Sequence, residues 1–218
     1  MRSNNCSTPD LAHERILWRA GHCHVGGIDE AGRGAWAGPV FAAVVVLSDN
    51  ASNTMFFGNV RDSKQMTSKQ RDKWRSLIQY YCHDCGVGYA TNDEIDSLGI
   101  VPATRLAAQR ALERLSFIPD ALLLDYLKLP DVSIPQKALV RGDQQVLSIA
   151  AASILAKTER DMFMRDMDET YPGYLFRTNK GYGTRAHQQG LEKLGICRIH
   201  RVSFKPVMMI KKRHVDGV

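Results

Sequence analysis

Residues 24–47 constrain the fold most strongly, because they hold two strand-like segments separated by a short stretch that contains glycine. The first segment, residues 24–30, is apolar until it reaches the adjacent acids Asp29 and Glu30. The second, residues 38–47, is rich in valine and alanine and leads into a polar turn sequence. A connection this short joins antiparallel strands, so these residues predict the start of a β-sheet.

Strand-like and helix-like segments alternate along the rest of the chain. Thr67 and Gln70 have capping-box spacing, which predicts a helix from there to about residue 81. Further strands are predicted over residues 86–91, 121–125 and 137–140, and further helices over residues 11–20, 93–98, 102–115, 146–167 and 184–194. This order predicts an α/β fold with a mixed sheet, in which helices dominate the C-terminal third.

The length and composition of the chain favour one large, soluble domain. It has 218 residues, a net charge of +6 and five cysteines. The longest apolar run, residues 40–47, is too short to cross a bilayer, and the N-terminus has no apolar signal-peptide region. An odd number of cysteines without such a signal indicates reduced thiols and a cytoplasmic location. The positive charge favours a polyanionic partner such as nucleic acid, although a generic basic protein would share it.

Four acids stand at strand ends or at a helix entry. Asp29 and Glu30 follow the first strand, Asp125 ends the strand over residues 121–125, and Asp143 precedes a long helix. The carboxyl ends of neighbouring strands converge at one edge of an α/β sheet, so we expect these side chains to meet. Four carboxylates would repel one another without cations, and hard oxygen ligands favour Mg²⁺ or Mn²⁺. Two such ions can assist hydrolysis of a phosphodiester, so the acids predict a two-metal site.

Each acid also has a simpler interpretation. Aspartate at a strand end is commonly a turn residue, and Asp143 has the position of a helix N-cap. Asp161 competes as a candidate ligand, but Lys157 and Arg165 stand four residues to either side of it. An intrahelical ion pair accounts for Asp161 more simply.

Three other segments have residue types that suit nucleic-acid binding. The glycines of Gly32-Arg33-Gly34 allow backbone amides to approach a ribose 2′-hydroxyl, and Lys64 before the capped helix suits a phosphate. Tyr182, flanked by glycines, could stack on a base or a sugar. Phosphate contacts are also predicted for His187, His200 and Arg201. The alternatives are ordinary glycine turns and a packed tyrosine.

The order and spacing of eight motifs resemble ribonuclease HII, the bacterial type 2 ribonuclease H family. The motifs are IDEAGRG (28–34), AGPV (37–40), RDSK (61–64), LSIAAASILAK (147–157), RD (160–161), YPGY (171–174), KGYGT (180–184) and IHRVSF (199–204). The resemblance implies a ribonuclease H-like fold, with a five-stranded mixed sheet flanked by helices and a C-terminal helical extension. It divides the chain into a lead segment (1–23), a catalytic domain (24–207, helical from about residue 165) and a basic tail (208–218).

The resemblance also implies a function and a set of site residues. The expected enzyme is a monomer that cleaves the RNA strand of RNA–DNA hybrids and incises 5′ to single ribonucleotides in duplex DNA, with Mn²⁺ or Mg²⁺ as cofactor. It leaves 3′-hydroxyl and 5′-phosphate ends. The metal ligands and catalytic acids fall on Asp29, Glu30, Asp125 and Asp143. The nucleic-acid contacts fall on Gly32, Arg33, Gly34, Lys64 and Tyr182.

Three positions depart from the family pattern. Tyr126 stands where a glycine usually follows the third acid, Ala35-Trp36 replaces the more common Pro-Leu, and Arg141 replaces lysine. Two rival functions remain: a type 3 enzyme restricted to hybrids, and a binding module without catalysis. The type 3 group typically has an additional N-terminal domain, whereas strand 1 begins here near residue 24. A binding module would lack the acids, yet all four are present.

Overall fold

The structure is a computed structural model that describes residues 8–49 and 66–215. Its strands are β1 (His24–Ala31), β2 (Val40–Ser48), β3 (Asp84–Ala90), β4 (Ala121–Asp125) and β5 (Gln136–Leu139). Its helices, labelled here along the described residues, are α1 (Ala12–Arg19), α2 (Ser68–Tyr81), α3 (Asn92–Leu98), α4 (Ile100–Leu112), α5 (Leu147–Thr170), α6 (Phe176–Asn179), α7 (Arg185–Leu194) and α8 (Lys205–Val215). A short 3-10 turn, Gly142–Gln144, precedes α5.

The strands form one five-stranded mixed sheet in the order β3-β2-β1-β4-β5. β1 pairs with β2 antiparallel, as the short glycine-containing connection predicts, and β2 pairs with β3 antiparallel. β1 also pairs with β4 in parallel, and β4 with β5. The predicted mixed sheet with helices on its faces is therefore confirmed, and β1 lies at its centre.

One face of the sheet packs against α5 and the other against α4. The buried side chains of β1 and β2 alternate between the two faces, which divides the core into two apolar clusters. Gly27 allows α5 to approach closely, because a Cβ on this residue would collide with the backbone of Ser148. The alanine-rich start of α5, residues 147–156, is buried on this side of the sheet. The helix therefore passes directly beside the strand that carries Asp29.

The C-terminal helices form the expected extension, around a third apolar cluster. Tyr174, Phe176 and Leu191 are buried there against Met164 of α5. Residues 205–215 form α8, whereas the sequence indicated only a basic tail from residue 208. No helix in the described ranges 8–49 and 66–215 is both long enough and apolar enough to cross a membrane.

Candidate active site

Three of the predicted acids meet at the carboxyl end of β1. Ligand oxygens of Asp29, Asp125 and Asp143 all lie within 4.8 Å of one another. Asp29 and Asp143 are buried and Asp125 is half-buried. The parallel register pairs Ile28 with Leu124, so the next residue on each strand is an aspartate. Strand alternation directs both carboxylates to the face that α5 covers.

Asp143 reaches the other two acids from the 3-10 turn. The backbone N–H of Gly142 donates to Asp125 Oδ1 at 2.8 Å, which ties the turn to the end of β4. On the other side, the N–H of Leu147 donates to the carbonyl of Asp10 at 3.0 Å. The segment that carries Asp143 is therefore anchored at Gly142 and at Leu147, which favours a rigid position for the side chain between them.

The Asp29 carboxylate is electrostatically unfavourable without a cation. Burial raises its pKa well above the ordinary value, and the neighbouring charges of Glu30 and Asp125 raise it further. Hydrogen bonds from the Ser153 hydroxyl and from the Glu30 N–H, at 2.7 Å to Oδ1, oppose this shift. Three converging carboxylates with this electrostatic strain fit a divalent cation, because the cation would relieve both burial and repulsion.

Glu30 is adjacent to this cluster but is oriented differently. As the next residue on β1 it points to the opposite face of the sheet, and Arg33 Nη1 donates to its Oε1 at 3.1 Å. Among the described residues, the three-acid group does not include Glu30. Glu30 nevertheless lines the same groove as Asp29 and Asp125. The structure thus brings three of the four predicted acids into one cluster and places the fourth at its margin.

A groove of about 290 Å³ joins the acids to the predicted nucleic-acid contacts. Its walls are Asp29, Glu30, Ala31, Gly32, Arg33, Gly34, Asp125, Ser153, Lys157 and Tyr182. Gly32 has φ +93°, and a Cβ there would collide with the guanidinium of Arg160. A Cβ on Gly34 would lie 4.0 Å from the Tyr182 ring. The bare loop and the tyrosine therefore face each other across the groove.

Two buried arginines hold this loop in place. Arg160 of α5 donates to the carbonyls of Pro39, Ala37 and Lys180 at 3.0, 3.1 and 2.9 Å. Arg201 donates to the carbonyls of Gly38 at 2.8 Å and Arg33 at 2.9 Å. Guanidinium groups suit this task because their donors diverge in a fixed plane. The loop backbone is thus fixed from behind, which leaves its groove side open.

The predicted phosphate contacts by His187, His200 and Arg201 are wrong. Their exposed fractions are 0, 1 and 0%, so none of the three side chains can reach a surface ligand. The sequence showed polar side chains next to glycine-rich turns but did not reveal that a helical layer covers them. Lys64, also a predicted contact, lies outside the described residues.

Ser153 and Lys157 are groove residues that sequence reasoning missed. Their spacing of four on α5 places them on one face of the helix, and this was the available signal. Lys157 Nζ donates to Asp161 at 2.8 Å, which confirms the intrahelical ion pair. Asp161 also accepts from Arg71 of α2 at 3.2 Å. Asp161 therefore connects two helices and is not part of the acid cluster.

The backbone conformation of Tyr126 accounts for one departure from the family pattern. The residue has φ +63°, a left-handed conformation in which glycine is favoured. Its N–H still donates to the Leu139 carbonyl at 2.9 Å, and its side chain is 68% exposed. The tyrosine therefore adopts the conformation that a glycine would take, and Asp125 keeps its place in the cluster.

Comparison with known proteins identifies the family. The sequence model described as ribonuclease HII matches residues 26–207. This chain belongs to the ribonuclease HII family. The ribonuclease HII of Dehalococcoides mccartyi is 45% identical over 205 residues, which cover 91% of this chain and 94% of the relative. The ribonuclease HII of Chloroflexus aurantiacus is 48% identical over 201 residues, which cover 92% and 95%.

A solved structure supports the same relationship at the level of the fold. The crystal structure of ribonuclease H2 from Pyrococcus horikoshii matches with a TM-score of 0.73 and 25% identity, over 87% of this chain and 98% of that one. As a member of the ribonuclease HII family, this chain is a divalent-metal-dependent hydrolase that cleaves the RNA strand of RNA–DNA hybrids. The fold and the enzyme class expected from the sequence are both confirmed.

Proposed function

We propose that this enzyme incises 5′ to single ribonucleotides in duplex DNA, as well as within continuous hybrids, by two-metal-ion hydrolysis. The products carry 3′-hydroxyl and 5′-phosphate ends, which suits ribonucleotide excision and primer removal. One observation supports this proposal above all: Asp29, Glu30 and Asp125 line a single groove together with the Gly32–Gly34 backbone and Tyr182. Selection of a ribose and cleavage beside it can therefore occur at one place.

The acids are proposed to hold two Mg²⁺ or Mn²⁺ ions. Asp29, Asp125 and Asp143 supply converging oxygens, and Glu30 supplies a fourth carboxylate at the margin. When bound, such ions supply an activated water and stabilisation of the leaving oxygen. Ser153 orients the central ligand through its hydrogen bond to Asp29. Since Asp29 is buried, water has little access to it, which strengthens its electrostatic interactions with cations.

The backbone of residues 32–34 is proposed to recognise the ribose. Gly32 lets Arg160 pack against the back of the loop, and without a side chain at Gly34 the sugar edge can approach backbone amides and carbonyls closely enough to hydrogen-bond the 2′-hydroxyl. Tyr182 would stack on the sugar of the following deoxynucleotide, because its ring lies beside Gly34 and is 37% exposed. Arg33 and Lys64 are proposed to contact the nucleic-acid backbone.

The decisive test is the cut position in a duplex that contains one ribonucleotide. With Mn²⁺ or Mg²⁺ we expect a single incision on its 5′ side that leaves a 3′-hydroxyl, and no product in the presence of chelator. An all-DNA duplex is the control and should stay intact. Cleavage of continuous hybrid without incision at the single ribonucleotide would refute the proposal and favour an enzyme restricted to hybrids.

Tyr182 offers a second, more selective test. We expect Tyr182→Ala to lower incision at single ribonucleotides by about tenfold, because stacking on one residue contributes about 1–3 kcal/mol. Cleavage of long hybrid should fall less, because it needs no junction between ribose and deoxyribose. Tyr182→Phe keeps the ring and should retain most activity on both substrates. Equal losses on the two substrates in Tyr182→Ala would contradict the stacking role.

A further inference from the structure

A buried pair of histidines lies behind the groove and has no part in the function described above. The Nε2 atoms of His187 and His200 are 3.0 Å apart, and both side chains are almost fully buried. The rings of Trp36, Tyr174 and Phe176 surround the pair. Polar rings are costly in such an apolar setting unless their nitrogens are hydrogen-bonded. The partners of these nitrogens therefore indicate what the pair does.

The partner of His187 sets the tautomer of both neutral rings, whereas Cys197 offers His200 Nδ1 both its N–H at 2.9 Å and its carbonyl at 3.2 Å. The carbonyl of Tyr182, 3.0 Å from His187 Nδ1, can only accept, so this nitrogen carries the hydrogen. His187 Nε2 is then bare and accepts from the Nε2–H of His200. The remaining nitrogen, His200 Nδ1, accepts the backbone N–H of Cys197 at 2.9 Å. One continuous direction of hydrogen bonding thus runs from Cys197 to Tyr182.

The residue at the end of this chain is the groove tyrosine. Its carbonyl also accepts the N–H of Thr184 at 2.7 Å, so the turn is held by two donors. Its ring has the guanidinium of Arg160 5.4 Å from its centroid on one side and Gly34 beside it. With both backbone and ring held, Tyr182 is oriented before any substrate arrives.

The other end of the chain leads to the glycine loop. Cys197 and His200 belong to the segment that continues into Arg201, whose N–H donates to the Trp36 carbonyl at 2.8 Å. The side chain of Arg201 holds the carbonyl of Arg33, as described above. The histidine pair therefore joins the segment that supports the ribose-reading loop to the turn that holds Tyr182.

We propose that His187 and His200 are positioning residues for substrate selection, which fix Tyr182 relative to the glycine loop. This inference rests on the proposed function, because it takes Tyr182 to stack at the junction after a single ribonucleotide. The pair does not touch the substrate. Its effect is on the preference for an embedded ribonucleotide over continuous hybrid, and not on the hydrolysis itself.

The first experiment determines the tautomers of the two histidines by NMR and does not depend on enzyme activity. In protein labelled with ¹⁵N-histidine, two-bond ¹H–¹⁵N correlation at pH 7 should show two neutral rings with opposite tautomers. His187 should carry its hydrogen on Nδ1 and His200 on Nε2. Spectra of His187→Asn and His200→Asn assign the two signals. An Nε2–H tautomer for His187, or a charged ring at pH 7, would overturn the inference.

The second experiment measures selection with matched variants. His187→Phe should lower incision at a single ribonucleotide by about tenfold, because it leaves the Tyr182 carbonyl with one donor fewer. Hybrid cleavage should fall much less. His200→Asn, whose amide oxygen can replace Nδ1 as acceptor for the Cys197 N–H, should show the same bias more weakly. Tyr174→Phe is the control, since it removes only a hydrogen bond to the Gly195 carbonyl from the same cluster.

The outcomes separate this inference from the proposed function. Equal losses on both substrates in His187→Phe, or the same bias in Tyr174→Phe, would overturn the positioning role. Failure of the wild-type enzyme to incise at single ribonucleotides would instead remove the proposed function and any selectivity that rests on it. The tautomer spectrum of the same wild-type protein would still decide whether the pair is built as described.

Discussion

Asp29 shows at the scale of one residue how a proposed metal ligand can oppose folding. Its pKa is raised by burial first and by the charge of Glu30 second, so the folded state disfavours the ionised carboxylate. A raised carboxyl pKa means that stability is lost as pH rises from the unfolded value of about 3.9 towards the folded one. Above this range the metal-free fold is destabilised by the cost of ionising Asp29, which a cation would offset.

Replacing Asp29 should separate stability from activity. We expect Asp29→Asn, without metal at pH 7, to raise the free energy of unfolding, because it removes a buried acid whose ionisation the fold disfavours. Cleavage should be lost while hybrid binding remains. Urea unfolding, cleavage assays and binding titrations measure these effects, with the exposed Asp131→Asn as control. Near-normal turnover in Asp29→Asn would contradict its assignment as a metal ligand.

Tyr126 permits a direct measurement of backbone strain. Its left-handed φ of +63° should make Tyr126→Gly more stable than Tyr126→Ala by about 1 kcal/mol, because alanine keeps the steric penalty that glycine lacks. Both variants lose the same exposed ring, so the comparison isolates the backbone. Chemical denaturation of the two variants checks this. Equal stability would show that residue 126 relaxes from this conformation.

The helices and strands could be predicted from the sequence more accurately than the way they pack against one another. β4 begins and ends where the apolar run and its final acid indicate, and Thr67 caps α2 as its spacing to Gln70 predicts. These signals are local, since they depend on periodicity and on a cap. The burial of His187, by contrast, depends on α7 packing beneath Trp36, and no local pattern contains that information.

The acid cluster was predictable because the carboxyl ends of neighbouring parallel strands lie at the same edge of a sheet. Asp125 ends a recognisable strand and Asp29 lies near the end of another, and parallel neighbours bring such ends together. Glu30 was predicted from the sequence to lie in the cluster with Asp29. Strand alternation alone would have placed the two side chains on opposite faces of the sheet. Ser153 was also missed, because its role depends on how closely α5 approaches β1 at Gly27.

The contact between α7 and the 197–201 segment should make stability depend on pH. Burial, and then repulsion from His187 when that ring is protonated, lowers the pKa of His200 to about 4. The unfolded chain binds this proton near pH 6.5, whereas the folded chain does not, so stability falls as pH decreases from 6.5 to 4. The loss from His200 should approach about 3 kcal/mol.

The variant His200→Asn should weaken this pH dependence. Its free energy of unfolding should be lower than that of the wild type at pH 7 but should change less between pH 7 and pH 4. Urea titrations at several pH values check the slope. An unchanged slope in His200→Asn would show that other groups cause the acid sensitivity.

The whole molecule is organised so that distant parts of the chain meet at one cluster. Asp29, Asp125 and Asp143 come from β1, β4 and the 3-10 turn, which are far apart in sequence. A cation bound by all three would therefore link the centre of the sheet to the start of α5. Because the unfolded chain cannot offer this arrangement, metal binding should stabilise the complete fold.

Thermal unfolding should reveal this linkage. At a free Mn²⁺ concentration of a hundred times Kd we expect a gain of about 2.7 kcal/mol, seen as a higher Tm that returns to its starting value with chelator. Asp143→Asn should lose most of the gain. A wild-type Tm that does not respond to millimolar Mn²⁺ would contradict the assigned cation site.

The parallel register of β1 and β4 determines where insertions and deletions in this enzyme can be tolerated. Inserting or deleting one residue between positions 121 and 125 would turn the last carboxylate of β4 away from α5, while the strand could still bury most of its leucines. We expect such a protein to fold but to lack one of the three converging carboxylates of the proposed metal site. Homologues and engineered chimeras should therefore tolerate gaps in the loops around this strand, but not within it.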